Sequence, residues 1–102
     1  HFYTAREYAT LLGTGAVALY DDYAEVKSMF TAEAARGKGA AAAILRQIED
    51  TARDAKAPWL KLETGNVLHA AHRLYARQGF TLCGPFGPYT ENSSSIFMEK
   101  AL

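Results

Sequence analysis

Cysteine is almost missing from this sequence, which has one, Cys83, among 102 residues. A single thiol excludes an internal disulfide framework and is typical of a reducing compartment. An excess of either charge is missing too, because eleven basic side chains balance eleven acidic ones. A nucleic-acid surface normally shows as a basic excess. We therefore expect a cytoplasmic protein with no nucleic-acid partner.

Long apolar stretches are also missing. The longest aliphatic run, GAAAAIL, is far below the roughly 20 apolar residues that cross a bilayer, and the opening HFYTAREYATLL lacks the charged-then-apolar order of a signal peptide. No linker, repeat or low-complexity block divides the sequence. We expect a soluble protein with no membrane partner, whose residues 1–102 form a single domain near the lower size limit for an independent core.

Strand signals fill the first 31 residues. HFYTA and TLLGTGAVALY are rich in aromatic, threonine and aliphatic residues, which favour strands. Asp21 and Asp22 form a turn signal, and YAEVKSMFT then alternates between polar and apolar residues, so that Glu25 and Met29 fall on one face. The pattern predicts antiparallel strands that run into a loop containing glycine.

Two helices follow, with a strand between them. The first is predicted over residues 39–55, where apolar residues recur at steps of three and four, and Pro58 ends it. WLKLET returns to a strand. A second helix is predicted over residues 67–78, with Asn66 as its N-cap and Gly79 at its C-terminus, where a positive φ is favoured. Its inward stripe is predicted to consist of Leu68, Ala71, Leu74 and Tyr75.

The last segments complete the predicted order of elements. FTLCG and IFMEKAL have strand composition, and the turn-rich PFGPYTENSSS lies between them. The resulting order is β-β-β-α-β-α-β-loop-β. This order predicts a layered α/β fold.

The residues before the first helix raise a question about its N-terminus. A helix usually begins with a side chain that caps its first N–H groups, yet this one is preceded by Arg36, Gly37, Lys38 and Gly39. Uncapped N–H groups and the helix dipole attract an anion, and glycine lets a phosphate approach the backbone closely. The stretch predicts a phosphate site, although a glycine-rich turn with two solvated cations explains it as well. It is neither a Walker loop nor a dinucleotide fingerprint, since no Gly-Lys-Ser/Thr closes it and no acidic residue ends the next strand in the required setting.

The same stretch, RGKGAA, matches the R/Q-x-x-G-x-G/A loop of the GCN5-related N-acetyltransferases (GNAT), and the chain resembles a member of this superfamily. AEVKSMFT is similar to the strand before that loop, LKLETG to the next strand, and AAHRLYARQGF to the A-x-x-L-Y-x-x-x-G-F segment that follows. The ending GPFGPYTENSSSIFMEKAL resembles a subset with a P-F-G-x-Y loop before a closing M-x-K-x-L strand. The loop together with L-Y-x-x-x-G-F at this spacing makes the resemblance specific, and it covers nearly the whole sequence.

The resemblance implies a fold and a co-substrate. The implied fold is a mixed, mostly antiparallel sheet with helices on its faces and a splayed pair of central strands, between which acetyl-CoA lies. Main-chain groups of the strand before the loop, here Met29, Phe30 and Thr31, are implied to pair with the pantetheine arm. The pyrophosphate is implied to bind the backbone N–H groups of Arg36, Gly37, Lys38, Gly39, Ala40 and Ala41.

Two side chains are candidates for acetyl transfer. The resemblance implies that Tyr75, in L-Y-x-x-x-G-F, protonates the departing CoA thiolate; the alternative is a tyrosine that packs at the edge of the core. The attacking amine must lose a proton, because a free alkylammonium has a pKa of ~10. Glu25 is the candidate base, since it is predicted on the strand face of Met29 and AEV resembles the position of a catalytic glutamate in some members. The alternative is an ordinary outward carboxylate, with a water chain as the base.

The other chemistry-bearing residues are expected to have no part in the reaction. Cys83 lies on a predicted strand and is expected to pack rather than to accept an acyl group. His69 and His72 are three residues apart on a predicted helix, but no further ligand cluster joins them, so that both are expected to face solvent and no metal is expected. Trp59 is expected in the core at the start of a strand. The loop 85–95 is expected either to line the acceptor side or to be a plain surface excursion.

The sequence departs from the family pattern in two places. Leu68 stands where the family often carries an Asn or Gln that contacts pantetheine, and Asn66 lies two residues away. The sequence also opens where the second strand of the family is expected. We therefore expect the domain to be N-terminally incomplete relative to the family, without the first strand and the helix pair that form one wall of the acceptor site.

The leading functional prediction is an acetyl-CoA-dependent N-acetyltransferase that transfers an acetyl group to a primary amine by direct attack in a ternary complex. The expected partner is a small-molecule or peptide amine, with a homodimer as one arrangement. An alternative from another class is a non-catalytic CoA-binding or oligomerisation module derived from such an enzyme. A third hypothesis is an anion-binding α/β domain unrelated to acyl transfer.

Overall fold

A computed structural model describes residues 2–7, 10–31 and 39–102 of the chain. Within these residues six strands form one sheet in the order β1-β2-β3-β4-β6-β5. The strands are β1 (Phe2–Glu7), β2 (Thr10–Leu19), β3 (Ala24–Thr31), β4 (Trp59–Gly65), β5 (Thr81–Cys83) and β6 (Ser95–Ala101). The helices are α1 (Ala40–Asp54), between β3 and β4, and α2 (His69–Arg77), between β4 and β5.

Neighbouring strands of the sheet are antiparallel, with one parallel pair. The antiparallel pairs are β1/β2, β2/β3, β4/β6 and β5/β6, whereas β3 and β4 run parallel on either side of the crossover through α1. A parallel pair requires such a crossover, because the chain must return to the same end of the sheet. The predicted α/β class, with a mixed and mostly antiparallel sheet, is confirmed.

The hydrophobic core lies on one face of the sheet. Val17 pairs with Val26, Ala24 with Leu60 and Leu62 with Met98, so these side chains point the same way. Both helices contribute to this one cluster and therefore pack against the same face. The buried cluster consists of Val17, Ala24, Val26, Ile44, Leu45, Ile48, Ala52, Leu60, Leu62, Tyr75, Phe80 and Met98.

A β-bulge changes the direction of Met29. Thr14 pairs with Phe30 and Ala16 with Lys27, so two steps along β2 match three along β3. Met29 packs against the core, and a Cβ atom added to Gly15 would lie 2.7 Å from its sulfur. The predicted placement of Met29 on the face of Glu25 is therefore wrong, because the extra residue shifts the alternation.

The helix ends agree with the glycine signals and disagree with the predicted cap of the second helix. Gly39 precedes α1 with φ 79° and no side-chain cap, and Gly79 follows α2 with φ 95°. Asn66 does not cap α2, which begins at His69. The Asn66 side chain instead donates to the Ser93 carbonyl oxygen at 2.5 Å, because the loop before β6 offers it a backbone acceptor.

Within the described residues, neither helix is long and apolar enough to cross a membrane.

Candidate active site

The two parallel strands at the centre of the sheet diverge and open a cleft. Their pairing comprises Ala24 with Leu60 and Glu25 with Lys61, although β3 continues to Thr31 and β4 to Gly65. The cleft has a volume of about 410 Å³. Its lining is formed by Glu25, Val26, Lys27, Met29, Leu62, Glu63, Thr64, Leu68, Ala71, Tyr75 and Tyr89. Both predicted catalytic side chains, Glu25 and Tyr75, therefore lie on its wall.

Glu25 is buried where the two strands separate. It is 2% exposed and lies on the face of the sheet opposite the helices, beside Lys61. The Tyr89 hydroxyl donates a hydrogen bond of 2.6 Å to Glu25 Oε2, and the Lys27 ammonium lies 3.8 Å from Oε1. An ordinary outward carboxylate would be solvated, so this alternative for Glu25 does not describe its environment.

Tyr89 comes from the loop 84–94, which crosses the sheet face that carries Glu25. Its hydrogen bond to Glu25 raises the pKa of the Tyr89 phenol to about 12, and burial adds to the increase. The hydroxyl consequently stays protonated and remains a donor to the carboxylate. The loop lines the cleft through Tyr89 and is not a plain surface excursion.

Tyr75 reaches the cleft from α2. Its ring is 5% exposed and packs edge-on against Phe80 with ring centroids 5.8 Å apart. Burial raises the pKa of the Tyr75 phenol, so the group holds its proton at neutral pH. The ring belongs to the core and also lines the cleft, so the packing alternative describes its position, and the role of Tyr75 as proton donor stays a prediction.

The backbone predicted to contact acetyl-CoA is described in part. Met29, Phe30 and Thr31 form the last residues of β3, beyond its pairing with β4. Gly39, which is exposed, precedes Ala40 and Ala41 of the first turn of α1, and a Cβ atom added to Gly39 would have no neighbour within 4 Å. This helix start has no acidic residue in its first turn. The remaining predicted contacts, Arg36, Gly37 and Lys38, lie outside the described residues.

One further position bears on the pantetheine prediction. Leu68 is 53% exposed and lines the cleft, so its predicted inward direction within α2 is wrong. Leu68 is the N-cap residue of α2 and therefore lies before the helical positions that form the inward apolar stripe. An apolar side chain therefore occupies the position at which the family often has an amide.

Within the part of the chain that the structure describes, the remaining chemistry-bearing residues do not assemble a second centre. Cys83 is half-buried on β5, and burial raises the pKa of its thiol, which disfavours the thiolate. His69 is exposed as expected. The expected solvent-facing position of His72 is wrong, because its part-buried ring donates from Nε2 to the Gly65 carbonyl oxygen at 2.7 Å. No group of three metal-ligating side chains occurs within residues 2–7, 10–31 and 39–102. Trp59 is 38% exposed, so its predicted core position is wrong, because the alternation of β4 buries Leu60 instead.

Three known proteins compare with the chain as follows. An IAA acetyltransferase of Azospirillum brasilense is 45% identical over 99% of this chain and 67% of its own length. A crystal structure assigned as an acyl-CoA N-acyltransferase from Klebsiella pneumoniae superposes with a TM-score of 0.85 at 35% identity, covering 90% of this chain and 64% of its own. A GNAT acetyltransferase from Elizabethkingia anophelis, crystallised with acetyl-CoA bound, has a TM-score of 0.82 at 19% identity over 99% of this chain and 75% of its own.

The family model of the acetyltransferase (GNAT) family matches residues 1–80. The chain belongs to this family. The predicted resemblance is thus confirmed, and so is the acyltransferase class that it implied. The chain spans about two thirds of the length of the first two proteins compared. The Elizabethkingia structure, at its low identity, supports the fold alone.

Proposed function

We propose that the chain carries out acetyl-CoA-dependent N-acetylation of a primary amine in the cleft between β3 and β4. The observation that carries the proposal is the divergence of these strands after Glu25 and Lys61, with a buried carboxylate and a buried phenol on one cleft of about 410 Å³. Family membership supports the same reaction class. The cleft is large enough for part of an extended co-substrate together with a small acceptor group.

We infer that acetyl-CoA lies along β3 and ends with its pyrophosphate at the start of α1. The backbone of Met29, Phe30 and Thr31 would pair with pantetheine as an added strand. The uncapped first turn at Gly39, Ala40 and Ala41 would accept the phosphates, since its N–H groups have no side-chain cap. Membership of the acetyltransferase family supports this choice of co-substrate, and the Elizabethkingia protein, which shares the fold, was crystallised with acetyl-CoA bound. Arg36, Gly37 and Lys38 are proposed to complete the loop.

The proposed chemistry uses Glu25 as a proton acceptor and Tyr75 as a proton donor. The acceptor nitrogen forms a bond to the thioester carbonyl carbon, and Glu25 takes the proton that the nitrogen loses, directly or through water. The carbon–sulfur bond then breaks, and Tyr75 gives its proton to the sulfur, so that CoA leaves as a thiol. Solvent returns a proton to Tyr75 and removes one from Glu25. Each turnover therefore releases one thiol per acetylated amine.

Direct attack in a ternary complex is proposed rather than an acyl-enzyme. Cys83 is the one thiol of the sequence, and burial keeps it protonated on β5. An efficient acyl-accepting cysteine needs a lowered pKa. Its environment therefore supports the packing role, and the acceptor nitrogen is left as the nucleophile.

The acceptor is proposed to be a small-molecule or peptide amine, which enters from the sheet face opposite the helices. That face carries Glu25 and the loop 84–94, whereas the other face is filled by α1 and α2. The reaction as proposed requires no metal, because a carboxylate and a phenol carry both proton transfers. We place the reaction in the cytoplasm, where acetyl-CoA is available, and propose a homodimer as the assembly to be tested.

A free-thiol assay with acetyl-CoA and a panel of amines tests the proposal. It should use this chain and any longer natural chain that contains it. Amine-dependent release of CoA thiol, with equal formation of acetylated amine, is expected. Binding of acetyl-CoA without thiol release across the panel would instead favour a non-catalytic CoA-binding module. Equal competition by phosphate or ATP would favour a general anion-binding domain.

A further inference from the structure

The contact between Tyr89 and Glu25 joins two distant parts of the sequence. The hydroxyl donates at 2.6 Å to Oε2 of a carboxylate that is 2% exposed. The ion pair of Glu25 with Lys27 is looser, at 3.8 Å, and the Lys27 side chain is 44% exposed. Exposed ion pairs hold geometry weakly, whereas hydrogen bonds to a buried charge are strong. Tyr89 is therefore the stronger of these two restraints on the carboxylate.

The loop that carries Tyr89 is itself held in place at several points. Tyr89 N–H donates to the Phe86 carbonyl oxygen at 3.1 Å, closing a turn in which Gly87 has φ 57°. A Cβ atom at Gly87 would lie 2.6 Å from the Tyr23 hydroxyl, so the turn presses closely on the strand face. At the other end of the loop, Asn66 donates from its side chain to the Ser93 carbonyl oxygen.

An aromatic cluster fixes the ring of Tyr89 from the side. Phe86 is 8% exposed, and its ring centroid lies 5.3 Å from that of Tyr89 and 5.9 Å from that of Phe97. Edge-to-face contacts of this kind orient the rings as well as bury them. The cluster consists of Tyr20, Tyr23, Phe86, Tyr89 and Phe97.

The charged groups around Glu25 leave one carboxylate oxygen for chemistry. Oε2 accepts from Tyr89, and Lys61 on β4 is paired with Glu99 at 2.9 Å. Lys27 lies on the Oε1 side. Burial and then the nearby Glu25 carboxylate raise the pKa of the Tyr23 phenol, which is therefore neutral. The Glu63 carboxylate adds a smaller contribution to the raised pKa of Tyr89. Among the described residues, Oε1 has only the loose ion pair with Lys27 and accepts no hydrogen bond, so it can accept a proton from an amine or a water.

From this geometry we infer that Tyr89 is a positioning residue for acetyl transfer, which holds Glu25 by Oε2 so that Oε1 receives the proton of the acceptor amine. The inference rests on the proposed function, in which Glu25 is the base. It assigns to the loop 84–94 the role of fixing the base before the acceptor arrives. Pre-orientation of this kind raises kcat more than it changes binding.

The Tyr89→Phe substitution tests the inference, because it keeps the ring in the cluster and removes the donor. We expect kcat to fall about tenfold, since hydrogen bonds to charged groups are worth at least that factor. The KM for acetyl-CoA should stay within about twofold, because Tyr89 acts through Glu25 rather than on the thioester carrier.

A double-mutant cycle with Glu25→Gln distinguishes positioning from direct contact with the acceptor. In the Glu25→Gln background, Tyr89→Phe should have no further effect on kcat, because the residue on which it acts is gone. The Tyr20→Phe substitution is the matched control. It removes a hydroxyl from the same aromatic cluster at a residue that is 48% exposed, and it should leave kcat and the KM for acetyl-CoA unchanged.

Three results would overturn the inference. The first is an equal fall in kcat when Tyr89→Phe is introduced into the wild type and into the Glu25→Gln variant. The second is a rise in the KM for the acceptor with no change in kcat. The third is full activity of the Glu25→Gln variant. This result would show that Glu25 is not the base, whereas continued amine-dependent thiol release would leave the proposed acetyl transfer intact. Melting curves of all variants identify any loss that is due to unfolding.

Discussion

At the scale of single residues, Tyr75 illustrates how burial affects a proton donor. The ring is 5% exposed in the core, and burial raises the pKa of its phenol. The raised pKa keeps the proton in place at neutral pH, yet it makes the phenol a weaker acid than a thiol with a pKa of ~8.5. In the proposed mechanism, in which Tyr75 gives its proton to the sulfur as the carbon–sulfur bond breaks, we therefore expect a modest contribution of Tyr75 to the rate.

The Tyr75→Phe substitution should lower kcat by about 10²-fold, the low end for general acid catalysis. The affinity for acetyl-CoA should change little, because the ring and its packing on Phe80 are retained. Steady-state kinetics and a binding titration with acetyl-CoA measure the two effects separately. An unaltered kcat would remove Tyr75 from the mechanism.

The Cys83→Ala substitution should leave the turnover rate within about twofold of the wild type, because a half-buried, protonated thiol does not serve as an acyl acceptor. Incubation with acetyl-CoA followed by mass spectrometry should likewise detect no acetyl group on this residue. A variant that is folded but inactive, or a thioester at Cys83, would contradict direct attack by the amine.

The sequence was informative about residues whose signal is local. Tyr75 belongs to a recognisable segment, and Glu25 precedes the glycine loop on the same strand, so sequence alone selects both as candidates. The hydrogen bond from Tyr89 to Glu25 spans 64 positions of the sequence. No periodicity encodes such a contact. Only the P-F-G-x-Y resemblance pointed to this loop, without showing which group Tyr89 meets.

At the scale of elements, the two helix N-termini show where local signals succeed and fail. The glycine before α1 predicted an uncapped start, and Gly39 does adopt a positive φ there. Asn66 carried an equally ordinary cap signal, yet its side chain bonds the loop before β6. The tertiary hydrogen bond that the Asn66 amide donates competes successfully with a local cap, in which the Asn66 side-chain oxygen would accept from the first N–H groups of the helix. The bulge at Met29 is a similar case, because nothing in the alternation of YAEVKSMFT indicates an extra residue.

Helix α1 is attached to the sheet by Glu49. Its carboxylate accepts from Lys100 of β6 at 2.7 Å and from Arg53 on its own helix at 3.0 Å. Burial alone would raise the pKa of Glu49, but the hydrogen bonds from Lys100 and Arg53 outweigh it and lower the pKa. A carboxyl whose pKa is lowered by folding stabilises the fold above its unfolded pKa, and this stabilisation is lost as the pH falls through the folded value.

The Glu49→Gln substitution should therefore lower the free energy of unfolding by about 1 kcal/mol at pH 7. The loss should shrink toward pH 3, where the wild-type carboxyl becomes protonated and its advantage disappears. Urea denaturation at both pH values measures the difference. Asp50→Asn, at an exposed position of the same helix, is the control and should change stability by less than about 0.5 kcal/mol. A pH-independent effect of Glu49→Gln would exclude the charge as its cause.

At the scale of the whole molecule, the order of elements was predicted from two patterns of apolar residues, alternation in the strands and steps of three and four residues in the helices. The mixed sheet was predicted from the family resemblance. The sequence did not reveal that the core of both helices lies on one face, or that the loop 84–94 closes over Glu25 on the other. Both features depend on contacts between remote segments. The proposed function depends on both features, because they distinguish the face of the sheet that is packed by the helices from the face at which the acceptor is proposed to enter.

The central claim is that the uncapped start of α1 holds the pyrophosphate of acetyl-CoA at the end of the β3/β4 cleft. Isothermal titration calorimetry with acetyl-CoA tests it most directly, on the wild type and on Gly39→Ala and Gly39→Glu. Gly39 has φ 79° and open space beside it, so both variants share the same backbone strain of ~1 kcal/mol and differ in charge.

We predict clear binding heat for the wild type and a loss of affinity within about tenfold for Gly39→Ala, as backbone strain of this size implies. Gly39→Glu should lose more than about a hundredfold, because a carboxylate would face the phosphates. Absence of heat with the folded wild-type chain, or equal affinities of the two variants, would contradict the claim.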